Sequence, residues 1–315
     1  IEAKVARLKD EARHELASLD ALGGAIEAIG YMKSRLVESN TQRLNKIASK
    51  ETTVVGVNKF TTGEPSPLTA GDGGIMTVDP AVEQDQVDRL NAWRSARDDA
   101  SVASALRSLR AAAQAGENIM PASIAAAKAG VTTGEWAAQM RLIYGEYRGP
   151  TGVARGVSNK SEGLDEIREA VDLVSQKLGR RLGFLMGKPG LDGHSNGAEQ
   201  IAARARDCGM EIAYDGIRLT PEQLIASVQE HQPHVIGLSI LSGSHITLVE
   251  DMMKRLQLAQ LDNIPVVVGG IIPQEDMIRL TAMGVAKIYT PKDFELNAIM
   301  MDIVSLADPT DLAAE

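Results

Sequence analysis

Between Gly187 and Gly197 the chain reads Gly-Lys-Pro-Gly-Leu-Asp-Gly-His-Ser-Asn-Gly. One imidazole, His194, sits in this turn with the carboxylate of Asp192 two residues before it, a pair able to move a proton or to bind a metal. Glycine admits backbone conformations and close approaches that other residues forbid, at a cost in chain entropy. A turn so rich in it is not a packing element, and a large ligand is expected against it. The turn is not a P-loop, because it lacks the Gly-Lys-Ser/Thr ending, and it is not the dinucleotide pattern G-x-G-x-x-G. Zinc takes three or four ligands, which one His and one Asp do not supply. A nucleophilic mechanism would need an activated Ser or Cys, and the single cysteine, Cys208, falls on the apolar face of the next helix as inert core. A lone histidine after a strand is more often structural than a ligand, so the surrounding elements have to decide.

Those elements are legible. The apolar run Leu182-Gly183-Phe184-Leu185-Met186 precedes the turn, and Ile201, Ala202, Ala205 and Cys208 mark one face of a helix after it. Apolar runs at 182–186, 211–214, 234–240, 264–268 and 286–289 are separated by helical segments, the pattern of βαβ units in a parallel sheet with helices on both faces. Thr220-Pro221-Glu222-Gln223 offers an N-cap hydroxyl, a first-turn proline and a reciprocal capping partner, and Gly209 stands where a helix-ending glycine belongs. Five strands predict an α/β, flavodoxin-like (Rossmann-type) sheet of order 2-1-3-4-5, which binds ligands beyond the carboxyl ends of its strands at the switch point. Beyond the third strand comes Ser239-Ile240-Leu241-Ser242-Gly243-Ser244-His245, beyond the fourth Gly269-Gly270, and beyond the fifth Tyr289-Thr290-Pro291. Small residues at three neighbouring strand ends predict a narrow slot for a flat or elongated ligand.

The remainder of the chain is mostly helical in pattern. Val5, Leu8, Ala12, Leu16 and Leu19 recur at helical spacing before Gly23-Gly24, and a second helix is expected from Ala25 to Ser49. Thr52 to Asn58 reads as a β-branched strand. Residues 61–80 form a Pro/Gly/Ser/Thr-rich connection of a length that marks a linker or a functional segment. Helices follow from Val82 to Tyr147, with Val87, Leu90 and Trp93 on one face and Val102, Leu106 and Leu109 on another; a second polar connection then leads to a helix over 164–177. The division expected is 1–60, 61–163 and 164–315. At 315 residues and 44% hydrophobic content the chain can bury a substantial core. A net charge of −9 without a long basic run argues against nucleic acid or an anionic membrane as partner. No apolar stretch is long enough for a membrane span and no signal-like start is present. A single cysteine fits a reducing cytoplasm. The opening at Ile1, inside a helical pattern, predicts a fragment or a processed chain.

Asp192-x-His194-x-x-Gly197, followed by Ser239-x-Leu241 and Gly269-Gly270, resembles the cobalamin-binding module of methionine synthase and the B12-dependent mutases. The resemblance implies that His194 is the lower axial ligand of cobalt and that the cofactor's displaced nucleotide tail enters the slot. It implies that Asp192 accepts the other imidazole N–H and that Lys188 extends this relay. Ser239, Leu241, Gly269 and Gly270 would line the slot, with Tyr289 and Thr290 at its far side, and Gly193, Ser195, Gly197 and Gly243 complete the implied cofactor-binding set. Val54 to Lys59 is similar to the end of the substrate-binding barrel of the acyl-CoA mutases, 81–150 to their helical linker, and Ser242 to Val249 to their third-strand loop. The chain is thereby identified as a member of the adenosylcobalamin-dependent acyl-CoA mutase family, matching its C-terminal half. Phe60 to Leu68, Asp192 to Gly197 and Tyr289 to Phe294 are similar to the branch acting on ethylmalonyl-CoA; methylmalonyl-CoA mutases usually carry Asp-Arg where this chain has Ser195-Asn196. The implied reaction is an isomerase's radical rearrangement of the carbon skeleton, giving methylsuccinyl-CoA. The alternatives are methylmalonyl-CoA or another acyl-CoA as substrate, and a methyl-transfer or non-catalytic cobalamin-binding module. The implied partners are an acyl-CoA held by a barrel domain N-terminal to this region, a homodimer and a reactivation chaperone. No catalytic residue is assignable within the chain.

Overall fold

A computed structural model describes residues 1–62, 79–151, 153, 163–293 and 295–310. Most of the two connections expected over 61–80 and 149–163, and Phe294, lie outside these residues. The chain divides into two compact units, one of residues 1–62 with 148–315 and one of residues 63–147. In chain order, α1 (Glu2–Ala21) and α2 (Ile29–Ala48) open the larger unit; α3 (Pro80–Ala96), α4 (Asp99–Gln114), α5 (Met120–Lys128) and α6 (Thr133–Tyr144) form the smaller. The larger then resumes with α7 (Leu164–Leu178), β1 (Gly183–Gly187), α8 (Asn196–Asp207), β2 (Glu211–Ala213), α9 (Pro221–His231) and β3 (Val235–Ile240). It ends with α10 (His245–Leu258), β4 (Val266–Gly270), α11 (Gln274–Ala282), β5 (Lys287–Tyr289) and α12 (Leu296–Leu306).

The five strands are parallel in the order β2-β1-β3-β4-β5, as the strand and helix alternation predicts. Strand side chains alternate between faces. Phe184, Met186, Val235 and Val267 pack with α7, α8 and α12, while Leu185, Ile236, Leu238, Ile240, Val266 and Val268 pack with α9, α10 and α11. Each such side chain, once buried, stabilises the fold by roughly 1.5–3 kcal/mol relative to exposure. Two predicted helix ends are present: the Thr220 hydroxyl accepts from the Gln223 amide at 3.3 Å while Gln223 Oε1 accepts from the Thr220 amide at 2.9 Å, and Gly209 ends α8 at φ +89°.

The segment expected as a strand at 52–58 is instead a compact turn, with one isolated bridge between Val55 and Lys59. Asn58 explains it. Its side-chain oxygen accepts from the Val54 amide at 2.8 Å, and its amide nitrogen donates to the carbonyls of Ile47 and Thr52 at 2.8 Å. Those bonds satisfy the backbone locally, and β propensity without a neighbouring strand does not make a sheet. In the smaller unit, Val102 and Leu109 are buried, whereas Val87, Leu90 and Trp93 stay exposed. Its α6 starts on a Thr132/Glu135 capping box, and Arg97 clasps Glu135 through two bonds of 2.8 and 2.7 Å.

Candidate functional site

The turn after β1 is pinned before any side chain acts. Gly190 donates to the Leu219 carbonyl at 3.0 Å and Leu219 to the Lys188 carbonyl at 3.1 Å, an isolated parallel bridge between Pro189 and Leu219 beyond the strand ends. Lys188 therefore points inward and its side chain is 0% exposed. Its ammonium donates to Asp192 Oδ2 at 2.6 Å and reaches the Ser239 carbonyl at 3.4 Å. Asp192, 5% exposed, takes both donors of His194 on its other oxygen: the backbone N–H at 3.0 Å and ring Nδ1 at 2.6 Å. Burial by itself would raise the Asp192 carboxyl, but the Lys188 ammonium and the two His194 donors outweigh it and hold the group well below the usual carboxylate range. An ionised acceptor on Nδ1 assigns the proton to that nitrogen and the lone pair to Nε2. The His194 side chain is 81% exposed. A buried ammonium and carboxylate thus orient an imidazole that stands open to solvent.

Beside this relay lies a cavity of about 300 Å³ on the sheet face covered by α8 and α12. Its floor follows from register. Ser239 is paired with Gly269 and Gly269 with Tyr289, so these three stand abreast at adjacent strand ends. One row inward on the same face come Met186, Gly237 and Val267. Gly269 opens the floor, since a Cβ there would meet no atom within 4 Å. Gly270 has a different need: a Cβ there would collide with the Ile240 carbonyl. Gly197, Ala198 and Ile201 of α8 and Leu296, Ile299 and Ile303 of α12 form the walls. Tyr289 donates to Asp302 at 3.1 Å, and Thr290 is held by its hydroxyl and amide on Asp293. Among the described residues no three His, Cys, Asp or Glu side chains gather as a metal site, so a metal here would draw on His194 as a single protein ligand.

Residues 183–293 match the B12 binding domain family and residues 1–146 match the methylmalonyl-CoA mutase family. Over all 315 residues the chain is 65% identical to the ethylmalonyl-CoA mutase of Cereibacter sphaeroides, covering 48% of that protein. The chain is thus similar to acyl-CoA mutases over its first 146 residues and to B12 binding domains over residues 183–293. It is 51% identical to the ethylmalonyl-CoA mutase of Methylorubrum extorquens, over 98% of the chain and 45% of that protein. It is 31% identical to the methylmalonyl-CoA mutase of Cereibacter sphaeroides, over 92% of the chain and 41% of that protein. The chain spans about half the length of the curated relatives it matches.

The structure sorts the residues marked in the sequence into two groups. Lys188, Asp192 and His194 form the relay, and Gly197, Ser239, Leu241, Gly269, Gly270, Tyr289 and Thr290 line the cavity. Gly193 backs onto the Arg218 guanidinium, Ser195 turns its hydroxyl to Lys33, and Gly243 lies in the exposed turn after β3, outside the lining. Other lining residues escaped the sequence reading. Phe184, Met186, Gly237 and Val267 lie two residues apart along strands already identified, and Leu296, Ile299 and Ile303 keep helical spacing, so alternation could have found them. Asn40 and Leu44 of α2 also line the cavity, and nothing local in the sequence ties them to it. The Leu241 amide joins the relay as well, donating to Asp192 Oδ2 at 3.4 Å. Cys208 is fully buried, and burial pushes its thiol up to about 11, as fits inert core.

Proposed function

We propose that this chain is the cobalamin-binding part of an adenosylcobalamin-dependent isomerase that rearranges ethylmalonyl-CoA to methylsuccinyl-CoA in the cytoplasm. The observation that carries the reading is the imidazole of His194, held through Nδ1 by a buried carboxylate 2.6 Å away on a side chain that is otherwise open to solvent. The residues fit the cofactor. An oriented, exposed imidazole would supply one nitrogen ligand, and the cavity beside it, at the small end of the roughly 300–1,000 Å³ of ligand pockets, would suit one flat heterocycle with its sugar. His194 would hold cobalt, Asp192 would keep the Nδ1 proton in place, and Lys188 would keep Asp192 ionised. Ser239, Leu241, Gly269, Gly270, Tyr289 and Thr290 would take the nucleotide tail. Bound cobalamin supplies a cobalt–carbon bond that breaks homolytically, the hard step that no side chain offers. Residues 1–60 are assigned to the end of the substrate-binding barrel, a reading supported by the mutase family match over 1–146. Preference for ethylmalonyl-CoA is supported by 65% and 51% identity to mutases of that name, against 31% for a methylmalonyl-CoA mutase.

Two measurements test this. Loaded with cob(II)alamin, the chain should show nitrogen superhyperfine splitting in its electron paramagnetic resonance spectrum, and His194→Ala should abolish it and weaken binding at least tenfold, the lower limit typical of losing a metal-site group. An unchanged spectrum and affinity would remove His194 as the ligand. In the full-length context, kcat/KM should be higher for ethylmalonyl-CoA than for methylmalonyl-CoA; the reverse order would sink the substrate assignment.

A further inference from the structure

The first turn of α8 carries a carboxylate that the cobalamin reading does not use. Glu199 is 3% exposed, and its oxygen lies 2.7 Å from the ammonium of Lys33, which comes from α2. Taking a charge out of water costs several kcal/mol unless a partner of good geometry replaces the solvent, so this pair needs the two helices docked. The same ammonium donates to Ser195 Oγ at 3.1 Å, across 162 residues of chain. Ser195 is the residue after His194 and stands at the N-cap of α8, yet its hydroxyl makes no capping bond to the helix. A serine in that place ordinarily serves the first free amides of its helix; here it is turned to α2 instead. A second clasp follows on the same face. Thr41 Oγ1 donates to Gln200 Oε1 at 2.8 Å, and Gln200 Nε2 donates to the Val37 carbonyl at 3.1 Å. Lys33, Val37 and Thr41 recur every four residues along α2, and Asn40 and Leu44 beside them reach the cavity wall.

We propose that Lys33 is a positioning residue for His194: Asp192 holds the imidazole from its N-terminal side, and Lys33, through Ser195, fixes the backbone that leaves it on the other. The helix carried by the mutase-family segment would thereby set the geometry of the axial nitrogen without touching the cofactor. This rests on the reading of His194 as the cobalt ligand.

The test uses the whole chain loaded with cob(II)alamin. Lys33→Met should broaden or erase the nitrogen splitting and weaken cobalamin binding about tenfold, within the range for residues that orient a metal ligand. Lys33→Arg, which can still donate to both Glu199 and Ser195, should restore the splitting; a purely steric role would not be rescued so. Where Lys33→Met fails to fold because Glu199 is left buried and charged, Lys33→Met with Glu199→Gln removes both charges and should fold while still losing the splitting. Normal splitting in every folded Lys33→Met variant, with His194→Ala abolishing it, overturns the inference and leaves the ligand reading intact. Normal splitting in His194→Ala as well overturns both.

Discussion

Asp192 accepts from Lys188 and the Leu241 amide on one oxygen and from the amide and ring of His194 on the other. Its stability contribution has a definite sign. A carboxyl whose folded pKa is depressed below its ordinary 3.8 stabilises the fold fully above that value and loses the contribution as pH falls through the folded one. Asp192→Asn should cost about 3 kcal/mol in urea unfolding, because the fully buried Lys188 ammonium loses its charged partner. Adding Lys188→Met should recover most of that stability; an unchanged unfolding midpoint in Asp192→Asn would show that the pair carries no such burden. The three relay side chains were legible because they lie within seven residues of one another (188–194) in one turn. The Ser239 carbonyl and Leu241 amide were not legible in this role, since backbone groups carry no side-chain signature and come from the end of a different strand.

At the scale of elements, the slot exists because Gly269 leaves a side chain missing between Ser239 and Tyr289, where three strands end side by side. The two adjacent glycines of β4 separate cleanly. Gly269→Leu should fill open space, leaving thermal unfolding nearly unchanged while cobalamin affinity falls. Gly270→Leu should destabilise the fold by about 3 kcal/mol, the upper part of the usual cost of overpacking, because its Cβ meets the Ile240 backbone. Equal loss of stability in both variants would place the cavity elsewhere. Sheet order was readable from the alternation of apolar runs and helical segments, and the Thr220 cap from four residues. Thr52 to Asn58 misled because β-branched side chains state a preference for a pleated surface, while the bonds of Asn58 decided the outcome.

Across the whole molecule, both tryptophans belong to the smaller unit, so their fluorescence reports on it alone. Trp93 donates to the Gly130 carbonyl at 3.1 Å and Trp136 to Ser123 at 2.9 Å. The Arg97 guanidinium, acting against partial burial, holds Glu135 down at about 2 from its ordinary 4.5. The depressed value means the stabilisation is complete above 4.5 and fades as pH falls toward 2. Fluorescence-detected denaturant midpoints should therefore drop across that window, and Glu135→Gln should flatten the drop; an equally steep decline in the variant would assign it to other carboxyls. The helical character of this unit was plain in the sequence. The docking of α2 on α8 was not, because complementarity between a lysine and a glutamate so far apart leaves no periodic trace.

That docking also orders events in time. The clasp between Thr41 and Gln200 closes a loop of 159 residues, and closing long loops slows the contacts that need them. Doubling the intervening chain would add only about 0.6 kcal/mol to the cost, so insertions between the helices should be tolerated at equilibrium. Kinetics are another matter: the wall contributed by Asn40 and Leu44 depends on this long-range closure and is expected to form after the sheet. Amides of α2 are accordingly expected to exchange with solvent before those of β1 and β3, in a partial opening that frees the cavity while the sheet stays folded.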